Sequence, residues 1–541
     1  MSSEALTRSP ETGLLPPQAG HREAETDRRG LRRGSGLPSR RLADLPGVSL
    51  ARRHPVLLAV LATVVLHLLF LSRALGADEG GFSMVARFWQ YPGHYLYGPQ
   101  WVDRPPGLIA VFAVANHLGP YGVRLMATIV AACLVAAVAA AARVLGGPRA
   151  AGWAAWTAAA IGSSSMLDAE ALNGELIASA FVAASMAATA AAVRIGPKRS
   201  HALVLAALGG ALASYALLVK QDFGDALAFG VVLVLFSRNV PQRWRHLLAF
   251  AGGAAVPLVG AVVWSQSHGG LGALLFACVQ FRAQAAHVMA DWSSAAPHRR
   301  AKDLAELTVV SGLLPLAAHL LVSQRRRLRQ LHPVALALVA AGLVETVGVI
   351  GGGNYWTHYL LAYGPTLAIT AGLAARHWMP GHQLTRRLVL LVVAVVLATS
   401  PVTAYWMHRY PGSPRAIASW VAAAAHPGDT IVVPYTHADV IGESGLRPVY
   451  PYSWSLPLRT LDPHLSLLVR TLDGPSAPTW VVQWDGEHTW GLDPGDRVPM
   501  ALRTHYRLVR NLCGRPVWLH DGARRTLPPT PNPTACHRGG S

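Results

Sequence analysis

Charge is scarce along this chain and cysteine nearly absent. Only 14% of its 541 residues are charged, against 52% that are hydrophobic, and the apolar residues come in long blocks. A soluble domain would interleave them with polar residues, so the composition excludes that class and points to a polytopic membrane protein. Four cysteines cannot make a disulfide framework. Cys133 and Cys278 fall in or near apolar runs, while Cys513 and Cys536 share a later segment where an oxidising exterior permits a bridge without requiring one. No spacing of His, Cys, Asp and Glu forms a recognisable metal site, so no cofactor is expected and a divalent cation is not indicated.

Acidic residues are also few, 28 against 47 Lys and Arg, for a formal charge of +19. Such an excess would suit nucleic acid, but the arginines sit in short clusters between apolar runs and in the first 53 residues. That placement is the positive-inside signature of a membrane protein, and it argues against a nucleic-acid partner. Residues 1–53 are rich in Arg, Pro, Gly and Ser and cannot bury enough apolar surface to fold, so they read as a disordered cytoplasmic tail. No short apolar region with a small-residue cleavage site precedes Pro55, and the first apolar run reads as a retained signal anchor.

Crossing about 30 Å of hydrocarbon takes about 18 to 20 uncharged residues. Eleven candidate spans follow, near 55–73, 123–143, 150–167, 175–193, 202–219, 223–237, 247–267, 305–324, 332–350, 358–375 and 387–406. With that count the clusters Arg194/Lys198/Arg199, Arg238/Arg243/Arg245, Arg325–Arg327 with Arg329, and Arg376/Arg386/Arg387 all fall on the cytoplasmic side. The loops Gly76–Gly122, Gly162–Gly174, Lys220–Asp225, Gly269–Asp303 and Gly351–His358 then lie outside, as does everything after the last span. Residues 54–410 read as the transmembrane catalytic domain and 526–541 as a flexible tail. From 411 to 525 prolines, turns and short β-rich runs at Thr430–Pro434, Thr479–Trp484, Tyr506–Arg510 and Pro516–His520 alternate with a helical stretch, Pro414–Ala425. This predicts an extracytoplasmic α/β domain. It has no Gly-rich phosphate loop and reads as a lid or acceptor platform.

The outer loops hold the chemistry. Asp78-Glu79 follows the first apolar run, and Trp101-Val-Asp103-Arg104-Pro105-Pro106 follows on the same side. A carboxylate pair and a cation in a proline-stiffened turn place a general base and an anion site where bilayer meets water. Asp78 also has a plainer reading as a helix cap. Lys220 is distinctive because only three of the 47 basic residues are Lys, and this one stands at an outer span end where positive residues are disfavoured. Its plainer reading is a pair with Asp222 or Asp225. Asn173 makes a good helix N-cap and sets Glu175 near the positive end of the helix. Glu345 lies inside a span, where an ionisable group is costly, and sequence shows no partner for it.

Asp78-Glu-Gly-Gly-Phe-Ser-Met-Val-Ala-Arg87, Arg104-Pro-Pro-Gly-Leu-Ile109 and Arg124-Leu together resemble the first-loop pattern of the GT-C polyprenyl-phosphate-sugar glycosyltransferases. Asn173-Gly-Glu175, Lys220-Gln221 and His358-Tyr359 through Pro365 extend the resemblance, which covers most of 55–410. It is similar to the bacterial proteins related to dolichyl-phosphate-mannose protein mannosyltransferases and to the lipid A aminoarabinose transferase. Arg104 stands where relatives often have Lys, and Gly107 where a bulkier residue is common. The resemblance implies a membrane enzyme that moves a pentose or a hexose such as mannose from a polyprenyl-phosphate donor to an extracytoplasmic glycan, lipid or protein, with inversion at the anomeric carbon. Asp78 would be the catalytic base, with Glu79 assisting. Arg104, Lys220 and His358 would hold the donor phosphate, and Asp103, Asn173, Glu175, Gln221 and Tyr359 would contact substrate. A flippase of lipid-linked sugars and a non-catalytic envelope-assembly protein are the alternatives; no convincing internal repeat favours the first.

Overall fold

The computed structural model describes residues 54–89, 95–195, 200–238, 240, 242–290, 296–376, 380–410, 412–486 and 488–536. The expected N-terminal tail, Lys198, Arg199 and the last five residues lie outside the described residues.

Every candidate span coincides with helix, but the helices differ in length. Gly122–Gly146, Gly174–Ile195, Ser200–Val219, Arg243–Gln266, Gly270–Ala290, Pro333–Gly351 and the apolar helix containing 387–406 are long and apolar enough to cross a membrane, and Ala296–Val310 with Leu313–Arg329, bent by 67°, would make an eighth. Pro55–Leu68 and Asp225–Phe236 are shorter, and the 358–375 run divides into a 3-10 turn, Thr357–Tyr363, and the helix Gly364–Ala375. The count of eleven is therefore not met on length. A further departure is the expected outer loop 269–303, which contains the apolar helix Gly270–Ala290 and the start of the next. Its alanines and leucines carry helical propensity that the Gly269-Gly270 break conceals.

These helices are built for lipid. Arg243–Gln266 is apolar yet only 17% of its most apolar window is buried in protein. Val256, Val259 and Val263 all point outward, an arrangement stable only where the solvent is itself hydrocarbon. Gly174–Ile195 lies at the centre of the bundle, and its Ala and Ser side chains let neighbours approach closely.

After Gly412 the chain forms a five-stranded sheet of order β2-β1-β3-β5-β4, where β1 is Thr430–Val432, β2 Arg447–Pro448, β3 Trp480–Val482, β4 Tyr506–Leu512 and β5 Arg515–His520. Strand β1 pairs parallel with β2 and β3, and β5 runs antiparallel to β3 and β4. Strands β1 and β3 are buried along their whole length, as parallel strands covered by helices require. Cys513 and Cys536 form a disulfide, Trp420 donates to the Pro528 carbonyl, and Ser413 donates to that of Cys536. The segment 526–536, expected to be a flexible tail, is thus pinned to the sheet domain.

Two glycines decide how this domain meets the bundle. The helix Ala77–Phe88, here the rim helix, presents Gly80 and Gly81 to Asp439, Ala438 and Trp454, and a Cβ at either position would overlap them. The Gly-Gly half of the Asp-Glu-Gly-Gly sequence therefore serves docking.

Candidate active site

The rim helix starts at Gly76, its N-cap, and Glu79 reaches back to accept from the Gly76 N–H at 3.0 Å. Capping thus falls to Glu79, which the sequence placed in the catalytic pair. Its carboxylate takes a two-pronged bond from Arg124 at 2.8 and 2.7 Å, and the Leu172 N–H donates to it at 2.8 Å. Both side chains are 3% exposed. Arg124 also binds the carbonyls of Ala74 and Glu170, so the pair ties the loop after the first helix to the loop before Asn173. Glu79 does not line the cleft described next.

Asp78, one residue earlier, points the other way. It lines a cleft of about 160 Å³ together with Asp103, Arg104, Asn173, Glu175, Lys220, His358 and Tyr359. Residues some 280 positions apart in sequence are brought together there. Among the described residues the one hydrogen bond to the Asp78 carboxylate comes from the Trp454 indole, at 2.9 Å. Trp454 belongs to the sheet domain, as do Ser455, Leu456 and Pro457, which close one wall.

The cations sit in a fixed frame. Pro105 is extended and Pro106 opens the helix Pro106–Asn116, where its missing N–H costs nothing. Gly107 packs against the Leu218 carbonyl, where a Cβ would come within 2.6 Å, and this close approach sets the start of the Pro106–Asn116 helix against the end of the helix that precedes Lys220. A bulkier residue at 107 would force these two helices apart. Asp103 bonds Arg104 at 2.7 Å and Arg282 at 2.8 Å, so it acts as a clamp on two guanidiniums. Burial opposes the Asp103 charge, but Arg104 and Arg282 outweigh it and hold the carboxyl below its usual range. Burial likewise works against the Arg104 charge, and Asp103 followed by Asp78 raises its pKa nonetheless.

Lys220 bonds Glu175 at 2.8 Å and Asp222 at 3.0 Å, and its ammonium stands 4.4 Å over the Tyr359 ring. Burial disfavours the ammonium, but Glu175 and Asp222 prevail and raise its pKa, so it carries its charge at neutral pH. The expected pair with Asp222 is present; Asp225 is not its partner. His358 lies 3.7 Å from Glu175 and 3.9 Å from Asp168, beyond hydrogen-bond length in both directions. Asn173 caps Gly174–Ile195 by accepting from the Leu176 N–H at 2.8 Å, which fixes Glu175 at the first turn. Gln221 does not line the cleft; its amide donates to the carbonyls of Asp103 and Cys278 at 3.4 Å.

Sequence reasoning missed Arg282, Phe82, Asn354, Trp356 and Trp454, all of which line the cleft. An arginine inside the apolar stretch 270–290 was the available signal for Arg282. Nothing in sequence links Trp454 to a loop 376 residues away. Glu175, Lys220 and Tyr359 of the cleft also line a small pocket of about 10 Å³ whose far wall includes Asp225 and Glu345. Glu345 also lines an apolar cavity of about 300 Å³ between the helices Leu313–Arg329, Pro333–Gly351 and Gly364–Ala375. Glu345, whose partner sequence left open, accepts from the Thr366 hydroxyl. Among the described residues no group of three or more His, Cys, Asp or Glu side chains is arranged to hold a metal ion.

No protein-family model and no curated protein sequence matches the chain. Solved structures do. ArnT from Cupriavidus metallidurans in the apo state superposes with a TM-score of 0.59 at 17% identity, over 86% of this chain and 98% of that one. The same protein bound to undecaprenyl phosphate gives 0.58 at 15% identity, over 86% and 97%. The chain therefore has the fold of these ArnT structures, with several helices long and apolar enough to cross a membrane and a small C-terminal sheet domain.

Proposed function

We propose that this protein is a membrane glycosyltransferase that takes its sugar from a polyprenyl-phosphate donor. The observation that carries the reading is the juxtaposition of Asp78 with three cations, Arg104, Lys220 and Arg282, in one cleft, with an apolar cavity lined by Glu345 beyond the small pocket that Glu175, Lys220 and Tyr359 share with the cleft. A lipid-linked phosphate sugar has a hydrocarbon tail, an anionic centre and a polar head. The apolar cavity, the cations and the cleft match these in order. That ArnT, which shares the fold, has been captured with undecaprenyl phosphate supports the same donor class.

In this mechanism the acceptor hydroxyl gives its proton to Asp78 as its oxygen bonds the anomeric carbon. The bond from that carbon to the phosphate oxygen breaks, and the electron pair leaves on the lipid phosphate. Charge grows on that phosphate as it departs, and Arg104, Lys220 and Arg282 stabilise it. The Trp454 N–H orients the Asp78 carboxylate, and His358, Glu175 and Tyr359 hold Lys220 and the sugar side of the cleft. Glu79 keeps the rim helix in place and takes no part in proton transfer. The cleft faces outside the cytoplasm, the N-terminus lies inside, and a glycan, lipid or protein serves as acceptor. The sugar is a hexose or pentose.

Incubating purified protein with a panel of polyprenyl-phosphate sugars tests this reading. Release of free polyprenyl phosphate with at least one donor is expected. Donors that stay intact with every acceptor while moving between leaflets would establish the flippase alternative instead.

A further inference from the structure

The rim helix separates two cavities. Asp78 and Phe82, one turn apart, line the transfer cleft, while Ser83 and Arg87, also one turn apart, line a second cavity of about 480 Å³. At 3.6 residues per turn the two pairs occupy well-separated faces. The second cavity is walled by Arg73 after the first helix, Arg87 on the rim helix and Arg415 on the sheet-domain helix Ser413–Ala424. Arg124, already spent on Glu79, also lines it.

Glu170 pairs with Arg73 from outside the lining, and among the described residues the one carboxylate lining the cavity is Glu443. Its Oε1 accepts from the Leu75 N–H at 2.8 Å, and burial raises its pKa toward the neutral form. Arg415 uses Nη1 on the Ser72 carbonyl at 2.8 Å, and Arg73 pairs with Glu170, so both are held at the wall with further N–H groups to offer. The cavity therefore has a positive excess drawn from three separate elements, with Ser83, Asn116 and Tyr121 adding polar groups.

Its setting is amphiphilic. It lies where Pro55–Leu68 has ended and Gly122–Gly146 begins, and Leu71 and Pro120 contribute to its wall. Beside it Val114, Leu118 and Tyr121 are 55%, 44% and 48% exposed. An apolar skirt around a cationic cavity suits a molecule with a hydrocarbon part and an anionic head, and a soluble ion would gain nothing from the skirt.

We propose that this cavity binds the anionic, phosphate-bearing headgroup of a membrane lipid, with the Arg73, Arg87 and Arg415 guanidiniums on the phosphate and the acyl chains along Val114, Leu118 and Tyr121. Guanidinium forks match phosphate oxygens two at a time, which favours arginine over lysine in such a place. The site is separate from the transfer cleft, and it stands or falls independently of the reaction proposed there. Bound lipid would fasten the sheet domain to the rim helix, because Arg415 and Arg87 belong to different elements.

The test uses the full chain in a neutral detergent, titrated with dioctanoyl phosphatidylglycerol, dioctanoyl phosphatidylcholine or inorganic phosphate, with bound molecules counted by native mass spectrometry. Phosphatidylglycerol is expected to bind about tenfold or more tightly than phosphatidylcholine, and Arg87→Gln and Arg415→Gln should each weaken it by about tenfold, the loss of one charge-assisted hydrogen bond. Asp78→Asn, on the other face, should leave this binding unchanged. Arg415 also holds Ser72, so Arg87→Gln, at an exposed position, keeps the test valid should Arg415→Gln fold poorly. Unaltered phosphatidylglycerol binding in Arg87→Gln would overturn the proposal. So would inorganic phosphate binding as tightly as the lipid, which would mark the cavity as a site for a soluble anion.

Discussion

Two adjacent carboxylates on one helix have opposite surroundings. Asp78 is half-buried, faces a cleft and receives one indole N–H, whereas Glu79 is buried and saturated by Arg124, Leu172 and Gly76. Successive helical residues point about 100° apart, so a single step along the chain moves from a carboxylate open to the cleft to one that is structurally committed. The Asp-Glu pair is thus two half-motifs: the first faces the cleft, and the second holds the rim helix in place.

The largest expected effect separates them in activity. Asp78→Asn keeps shape but cannot accept the acceptor proton, and single-turnover transfer should fall by about 10²- to 10⁴-fold. The melting midpoint should barely move. Near-normal turnover in a folded Asp78→Asn protein would remove this residue from the mechanism.

Glu79→Gln should do the reverse. It leaves the Arg124 guanidinium buried without a counter-charge, and breaking such a pair from one side costs about 3 to 5 kcal/mol. The expected outcome is a large drop in thermal unfolding midpoint in detergent, with whatever folded protein survives still turning over. An intact midpoint combined with lost turnover would exchange the roles assigned to the two carboxylates.

The cations sharpen the same contrast on the cleft side. Removing a charge-assisted bond to the leaving phosphate costs roughly 1.5 to 3 kcal/mol, or about 10- to 150-fold. Lys220→Ala and Arg104→Ala should each lose this much, more in turnover than in donor affinity because the phosphate gains charge as it leaves. Arg104→Lys should recover part of it. Single-turnover transfer and donor binding measured side by side decide the matter; if neither changes in folded variants, the phosphate lies elsewhere.

How much of this was legible in the sequence depends on range. The helical membrane class and the four longer strands follow from local pattern, because hydropathy and alternation are local properties. The positions of Asp78, Arg104, Lys220 and His358 were legible from motif, and the structure brings all four to one cleft. What stayed hidden was long-range or directional. Trp454 reaches Asp78 from another domain, and Arg282 arrives on a helix that read as a loop. Glu79 and Gln221 share motifs with cleft residues, yet their side chains leave in other directions. Adjacency in sequence does not carry orientation. Gly107, which read as a departure from the family pattern, acquires a reason only once Leu218 is seen against it.

The smallest expected effect tests whether the committed side also governs stability against pH. Glu170 joins the network around Glu79: it pairs with Arg73, and its carbonyl accepts from Arg124 at 3.1 Å. Its side chain is 1% exposed, and its Oε2 has no hydrogen-bond partner among the described residues. Burial raises its pKa from 4.5 to about 7, with Arg73 opposing but not cancelling the effect. Between those values the folded state binds the proton that the unfolded state has released. Stability is therefore fully present at the acid end of this window and is lost as pH rises toward 7, by at most about 1.4 kcal/mol per pH unit. Glu170→Gln fixes the neutral form, so the difference between wild type and variant isolates this group from every other titration. Unfolding midpoints of both proteins from pH 4.5 to 7.5 should converge at the acid end and separate with rising pH, the wild type falling further. Parallel curves would mean that Arg73 keeps Glu170 ionised throughout, and that the Glu79 side of the rim helix contributes a constant, pH-independent support to the cleft on the other side.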